Sequence, residues 1–229
     1  MFPLYDTVRS RTFPLINLTL VIANVLAFLY ELQLDAGTLQ GFIFTWGLIP
    51  ARFIGDPSTT WTTIFSSMFL HGSWFHIVSN MWVLLIFGDN VEAGMGKIRY
   101  LIFYLLSGTA AALLQTYVLP SSQVPMIGAS GAVAGVLGAY LILYPRSRIA
   151  SLVPILFIFT IVEIPAVLFL IFWFVLQLYS GLFAIGGGGE SGIAWWAHIG
   201  GFIFGLIMVF FFRRRRPSRM DYYRRDYGT

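Results

Sequence analysis

The chain has 229 residues, of which 58% are hydrophobic and 10% charged, with 14 Lys and Arg against 10 Asp and Glu. That charge content is far below the roughly 25% of soluble domains, and with a mean hydropathy of +0.79 it excludes a water-soluble globular protein. Cysteine is absent, which excludes a disulfide framework and a thiolate metal site.

Uncharged runs cover residues 12–30, 57–88 and 100–145, and between Arg148 and Arg213 only Glu163 and Glu190 carry charge. A helix crossing the bilayer core takes about 20 mainly apolar residues, so the longer runs are divided at their turn residues. Pro120-Ser121-Ser122-Gln123-Val124-Pro125 splits one of them, and Gly186 to Gly192 forms another loop. The expected architecture is therefore all-α and polytopic, a six-transmembrane-helix bundle with spans near 13–32, 68–88, 99–119, 127–144, 164–183 and 193–212. Residues 1–12 form a short N-terminal segment and 213–229 a basic tail. The apolar stretch 149–163, broken by Pro154 and followed by Pro165, is too short to cross again and is expected to be a re-entrant or interfacial connection. The first apolar run lacks a clear small-residue cleavage site and reads as an anchor rather than a removable signal.

Six spans place both termini on one side. Arg9, Arg11, Lys97, Arg99, Arg146, Arg148 and the run from Arg213 to Arg216 all fall there, and only Arg52 falls opposite. The positive-inside rule makes that side cytoplasmic. The short loops point to a bacterial plasma membrane, and the polybasic tail to anionic lipid headgroups rather than nucleic acid.

Polar residues inside such spans need a reason, because unpartnered polar groups in hydrocarbon cost free energy. His71, His76 and Asn80 open the second span, Ser130 opens the fourth, and His198 lies near the start of the sixth. These three spans run in the same direction, so the polar groups share one outer depth and can meet in one cavity. His76 and Asn80, four apart, project from one helix face. Gly128, Gly131, Gly135 and Gly138 form a small-residue stripe beside Ser130, and Gly201 and Gly205 form another beside His198. Small residues let helix backbones approach closely. Taken singly, each glycine or serine here reads as a packing element; the shared depth with histidine points to nucleophilic chemistry.

The segments His71-Gly72-Ser73-Trp74-Phe75-His76-Ile77-Val78-Ser79-Asn80, Gly128-Ala129-Ser130-Gly131 and Ala197-His198-Ile199-Gly200-Gly201 with Gly205 resemble, in order and spacing, the rhomboid family of intramembrane serine proteases. The resemblance covers roughly residues 13–212. It implies a serine–histidine dyad in a water-accessible outer cavity, with single-span transmembrane proteins as substrates and no cofactor or metal. Residue by residue it makes Ser130 the nucleophile and His198 its general base and later acid. The oxyanion would be held by His76, Asn80 and the Ser130 backbone N–H. His71 would be a structural histidine near the mouth, and Gly128, Gly131, Gly201 and Gly205 structural neighbours of the site. Loop 35–66 with Trp61 would match the first external loop, Glu92 the acidic position closing the second span, and 184–193 a cap.

No carboxylate is placed to orient His198, so a dyad is expected rather than a triad. Some family members stack an aromatic ring on the base from the position held here by Ala134, and Trp195, Trp196 and Trp173 are the candidates to replace it. The Trp-Arg pair of some first loops is Trp61-Thr62. Phe169, Phe172, Trp173 and Phe174 read as a bulky apolar surface past which substrate enters sideways. Two other classes fit part of the pattern: a non-catalytic rhomboid-like chaperone that binds membrane helices, and a proton-coupled transporter using the histidines. Intact Ser130 and His198 argue against the first. The lack of a carboxylate in the outer cluster and of an internal repeat argues against the second.

Overall fold

The computed structural model describes residues 2–8, 10, 12–155, 158–185 and 193–214. Its helices in chain order are α1 Leu15–Glu31, α2 Ala36–Trp46, α3 Pro50–Gly55, α4 Pro57–Thr60, α5 Thr63–Ser66, α6 Trp74–Met95, α7 Lys97–Val118, α8 Ser130–Leu143, α9 Ala166–Ile185 and α10 Trp195–Phe212. The protein is a helical integral membrane protein. Helices α7, α9 and α10 are each long and apolar enough to span a bilayer. The segments Thr63–Phe69 and Trp74–Met95 make a fourth span if taken as one, bent by 94°, while α1 and α8 are apolar but shorter.

Two expectations need correction. The second span does not run straight from residue 68; the chain breaks at Leu70–Ser73, and α6 starts afresh at Trp74, capped by Ser73 Oγ accepting from the His76 N–H at 3.2 Å. The fold is also not all-α. The connection expected to be re-entrant or interfacial is a β-hairpin, β2 Arg148–Ile155 with β3 Ile158–Pro165, joined by β1 Phe2–Asp6 in an antiparallel sheet of order β1-β2-β3. Its β-branched run suits a pleated strand, and such a run cannot be told from a buried helix by apolarity alone.

The core is organised on α8, which packs against α6, α7 and α10 and is buried from Gly131 through Tyr140. Glycine makes this possible. A Cβ added at Gly201 would lie 1.9 Å from the Gly131 carbonyl oxygen, and one at Gly205 would lie 2.0 Å from the Gly135 carbonyl oxygen. At Gly138 it would lie 2.3 Å from the Phe202 carbonyl oxygen. The α8–α10 seam is thus backbone against backbone. A polar clamp ties the opposite side: Tyr100 Oη donates to Asn17 Oδ1 at 2.7 Å, and Asn17 Nδ2 donates to the Leu84 carbonyl at 3.0 Å. Glu92 of α6 accepts from the Ile16 and Asn17 N–H groups at 3.2 and 2.8 Å. These are first-turn donors of α1, whose own N-cap is Pro14 with no side-chain cap, so Glu92 satisfies orphan amides from a distant element.

Candidate active site

The segment leading to Ser130 is shaped by one backbone turn. Gly128 has φ +117°, a conformation that L side chains rarely adopt, and its N–H donates to the Ser67 carbonyl at 2.8 Å. A Cβ there would also come within 2.5 Å of His76 Nε2. Glycine is therefore required twice over, for the turn and for the imidazole beside it. Just upstream, Leu48 and Met126 exchange both backbone hydrogen bonds, at 3.1 and 2.7 Å, anchoring the first long loop to the segment that delivers the serine. Ser130 then begins α8, whose N-cap Ala129 supplies no side-chain cap, so the first-turn N–H groups there remain open to an incoming acceptor.

A cavity of about 600 Å³ opens at this point, and Ser130, His198, His76, Asn80, Gly128 and Gly131 all line it. Of the other expected residues, Gly201 and Gly205 hold the helix seam beneath it. His71 lies in the break before α6, buried, with its ring centroid 5.0 Å from that of His76. The His71 N–H donates to both carboxylate oxygens of Glu31, at 3.2 and 3.1 Å. Asn80 Nδ2 donates back to the His76 carbonyl at 3.0 Å. Ser130 Oγ and the His198 ring share the cavity without a direct hydrogen bond among the described residues, the open spacing common in sites without substrate.

His198 has a partner that the sequence reading missed. Its Nδ1 lies 2.8 Å from Gln177 Oε1 of α9. With the carboxamide oxygen accepting, Nδ1 carries the hydrogen and Nε2 is left with its lone pair. The start of α10 is held in turn by Gln115 Oε1, which accepts from the Ala197 N–H at 3.1 Å. The signal for both was legible in principle: each is a lone carboxamide inside an otherwise apolar span. Of the three tryptophans considered, Trp173 and Trp195 each place a ring centroid 6.1 Å from His198, tilted and edge-on respectively, whereas Trp196 makes no ring contact with it among the described residues. The expected aromatic surface on the fifth span is not one surface. Phe169 is buried and Phe174 stacks on Phe202 at 4.8 Å, leaving Phe172 exposed, because residues one apart on a helix point about 100° from each other.

Outside the cavity, Arg52 donates to the Phe44, Thr45 and Gly47 carbonyls, closing the C-terminal end of α2. The lone basic residue expected on that face therefore has a local structural job. Loop carboxylates cap helices there as well: hydroxyl donors on Ser58 and Thr59 hold the Asp56 carboxyl below its ordinary range, and Thr38 does the same for Asp35. The expected cap at 184–193 falls largely on residues outside those described. A second, larger cleft of about 1100 Å³ lies at the opposite, basic end, lined by Lys97, Arg99, Arg213 and Arg214 with Thr12 and Glu92, and none of its lining residues is a histidine.

A sequence model of the Rhomboid domain matches residues 58–215, which takes in all of these cavity residues. The chain belongs to the rhomboid family. Among its relatives, the RHOMBOID-like protein 6, mitochondrial, of Arabidopsis thaliana is 33% identical over 122 residues, covering 50% of this chain and 38% of that protein. The Rhomboid protease AarA of Providencia stuartii is 28% identical over 144 residues, 56% of this chain and 50% of its own length. Rhomboid-like protein 11, chloroplastic, of Arabidopsis thaliana is 40% identical over 75 residues, 33% of this chain and 26% of that protein. The chain thus spans half or less of these three rhomboid relatives, whose bacterial, mitochondrial and chloroplastic origins assign no single compartment.

Proposed function

We propose that this rhomboid is an intramembrane serine endopeptidase that cleaves single-span membrane proteins in or near their transmembrane segment. The observation that carries the reading is the meeting of Ser130, His198, His76 and Asn80 around one cavity. In this scheme His198 Nε2 takes the Ser130 hydroxyl proton as Oγ attacks the substrate carbonyl carbon, forming a C–O bond. Gln177 holds Nδ1, so the imidazole meets the serine with the correct nitrogen. The negative charge that develops on the carbonyl oxygen is met by Asn80, His76 and the Ser130 N–H. Each such donor is worth about 2.7–4 kcal/mol in the transition state. The C–N bond then breaks as His198 returns the proton to the leaving amine. Water, activated by the same imidazole, releases the acyl group as a carboxylic acid and restores Ser130. Gln177 is a positioning residue here rather than a third catalytic group, so the dyad stands as the chemical unit.

The six-span count and the orientation belong to this reading. The basic end becomes cytoplasmic by the positive-inside rule. Helix α8 has 14 residues, about 21 Å of rise against a hydrocarbon core of about 30 Å. A helix that ends at the inner face and is this short starts its Ser130 well below the outer face, where a hydrophilic cavity opening outward can reach it. The cluster of Lys97, Arg99, Arg213 and Arg214 at the inner end suits anionic headgroups. The test is incubation of a panel of single-span membrane proteins with wild type and Ser130→Ala. Serine-dependent cleavage of at least one member is expected; cleavage that persists in Ser130→Ala contradicts the reading.

A further inference from the structure

The sheet lies beside α6 rather than beyond its end. Trp82 Nε1 donates to the Pro3 carbonyl at 2.6 Å, and Asn90 Nδ2 donates to Asp6 Oδ2 at 2.9 Å. These two anchors are eight residues apart on α6, about 12 Å along its axis, so β1 climbs the inner half of that helix. On the other side the sheet runs into α9, with the Ala166 N–H donating to the Ser147 carbonyl at 2.9 Å, and α9 packs chiefly on α10. The sheet is therefore tied to α6 along β1 and to α9 at the base of the hairpin, the two helices whose outer parts wall the cavity. Phe2 pairs with Leu152, and the β2–β3 ladder continues past that point through Val153↔Thr160, Pro154↔Phe159 and Ile155↔Ile158. Three further pairs carry the hairpin about 10 Å toward the depth of the cavity.

Strand β3 is the edge of this sheet, and along its outer side the only added partner among the described residues is Arg148, which reaches the Glu163 carbonyl at 3.2 Å. Phe159, Ile161 and Val162 are exposed at 70, 57 and 38%. An open, apolar strand edge facing lipid leaves backbone donors and acceptors unpaired, which hydrocarbon does not tolerate; an edge of this kind is a template for another extended chain. Resting on the protease reading above, the geometry points to the edge of β3 as a binding site for the unwound segment of the substrate. A peptide bond inside a helix has its carbonyl tied up, so a transmembrane substrate must unwind near Ser130 and loses its internal hydrogen bonds in doing so. The β3 edge offers replacements, its far end rises toward the depth of the cavity, and at its inner end the strand passes into α9, whose Trp173 and Gln177 line that cavity. Extended substrate thus adds to the sheet as a fourth strand while its scissile bond enters the site.

The absence of native cysteine allows a clean test. Ser130→Ala/Ile161→Cys is mixed in membranes with a single-span substrate that the wild type cleaves, carrying one cysteine scanned through its transmembrane segment, and is then oxidised. Cross-links at alternate substrate positions on one side of the scissile bond are expected, the period of a strand. Cross-links with a spacing of three to four, enzyme homodimers alone, or no substrate cross-link would overturn the proposal. Should the wild type cleave no substrate, it is the protease reading that falls, and the scan on a bound single-span protein still decides the edge pairing by its period.

Discussion

Replacing Gly201 by alanine tests the way this fold positions its chemistry. The added methyl would lie 1.9 Å from the Gly131 carbonyl oxygen, 1.5 Å inside the 3.4 Å at which ordinary contact begins. The obstacle is backbone and cannot swing aside. The contacts at Gly205 and Gly138 make the seam equally tight further along, so relief comes only from separating α10 from α8 by roughly 1 Å, at an overpacking cost of about 1–3 kcal/mol. For a chain of this size that lowers Tm by about 2–4 °C per kcal/mol. In the proposed mechanism the seam also sets the chemistry, because Gly131 follows Ser130 and Gly201 lies three residues after His198. Misplacing the base by 1 Å costs on the order of 10²-fold in rate. Differential scanning fluorimetry in detergent and cleavage of a membrane substrate measure the two effects. Gly41→Ala is the control: nothing lies within 4 Å of its added methyl, so it should leave the rate unchanged and stabilise α2 slightly. Wild-type Tm and rate in Gly201→Ala would refute the backbone-contact argument.

Other perturbations probe other contacts. Gln177→Ala should lower kcat roughly ten- to hundredfold with KM nearly unchanged, while Gln177→Glu, which keeps the acceptor for His198 Nδ1, should restore most of the rate; an equal loss in both variants would deny the positioning role. Glu92→Ala leaves the first-turn amides of α1 without acceptors and should cost about 1–2 kcal/mol, seen as a lower Tm and faster amide exchange at Ile16 and Asn17. Asp56 and Asp35 have depressed pKa values in the folded state. Their capping contribution is thus fully present above the ordinary carboxylate value of about 3.9 and is lost as pH falls through the depressed values. The protection of the Thr59 and Thr38 amides, meaning exchange relative to the intrinsic rate at each pH, should fall on acidification, and Asp56→Asn should remove that pH dependence at Thr59.

Much of the site was legible because its residues are chemically out of place. Histidines, an asparagine and a serine at one depth of an apolar chain stand out by composition alone, and the glycine spacing that admits α10 against α8 follows from helical periodicity. What could not be read depended on long-range partners. Gln177 and Gln115 stand out as lone carboxamides in their spans, but only the fold sets them against His198 and Ala197. Glu92 carries a charge at a helix end, but only the packing of α1 on α6 reveals the amides it caps. The hairpin at 148–165 escaped because its apolar residues lack alternation: β2 is buried at Ile149, Ala150 and Ser151 in succession, so the period that marks a strand with one wet face never develops. The aromatic cluster on α9 failed for the opposite reason, since adjacent residues were read as one surface although the helix turns them apart.

The central claim is that Ser130 is a nucleophile activated by His198. Labelling of the detergent-solubilised protein with a fluorophosphonate, followed by peptide mapping, tests it most directly. The account predicts a single adduct on Ser130, abolished by Ser130→Ala and slowed by orders of magnitude in a folded His198→Ala. An adduct that survives Ser130→Ala, or a labelling rate indifferent to His198, would contradict it.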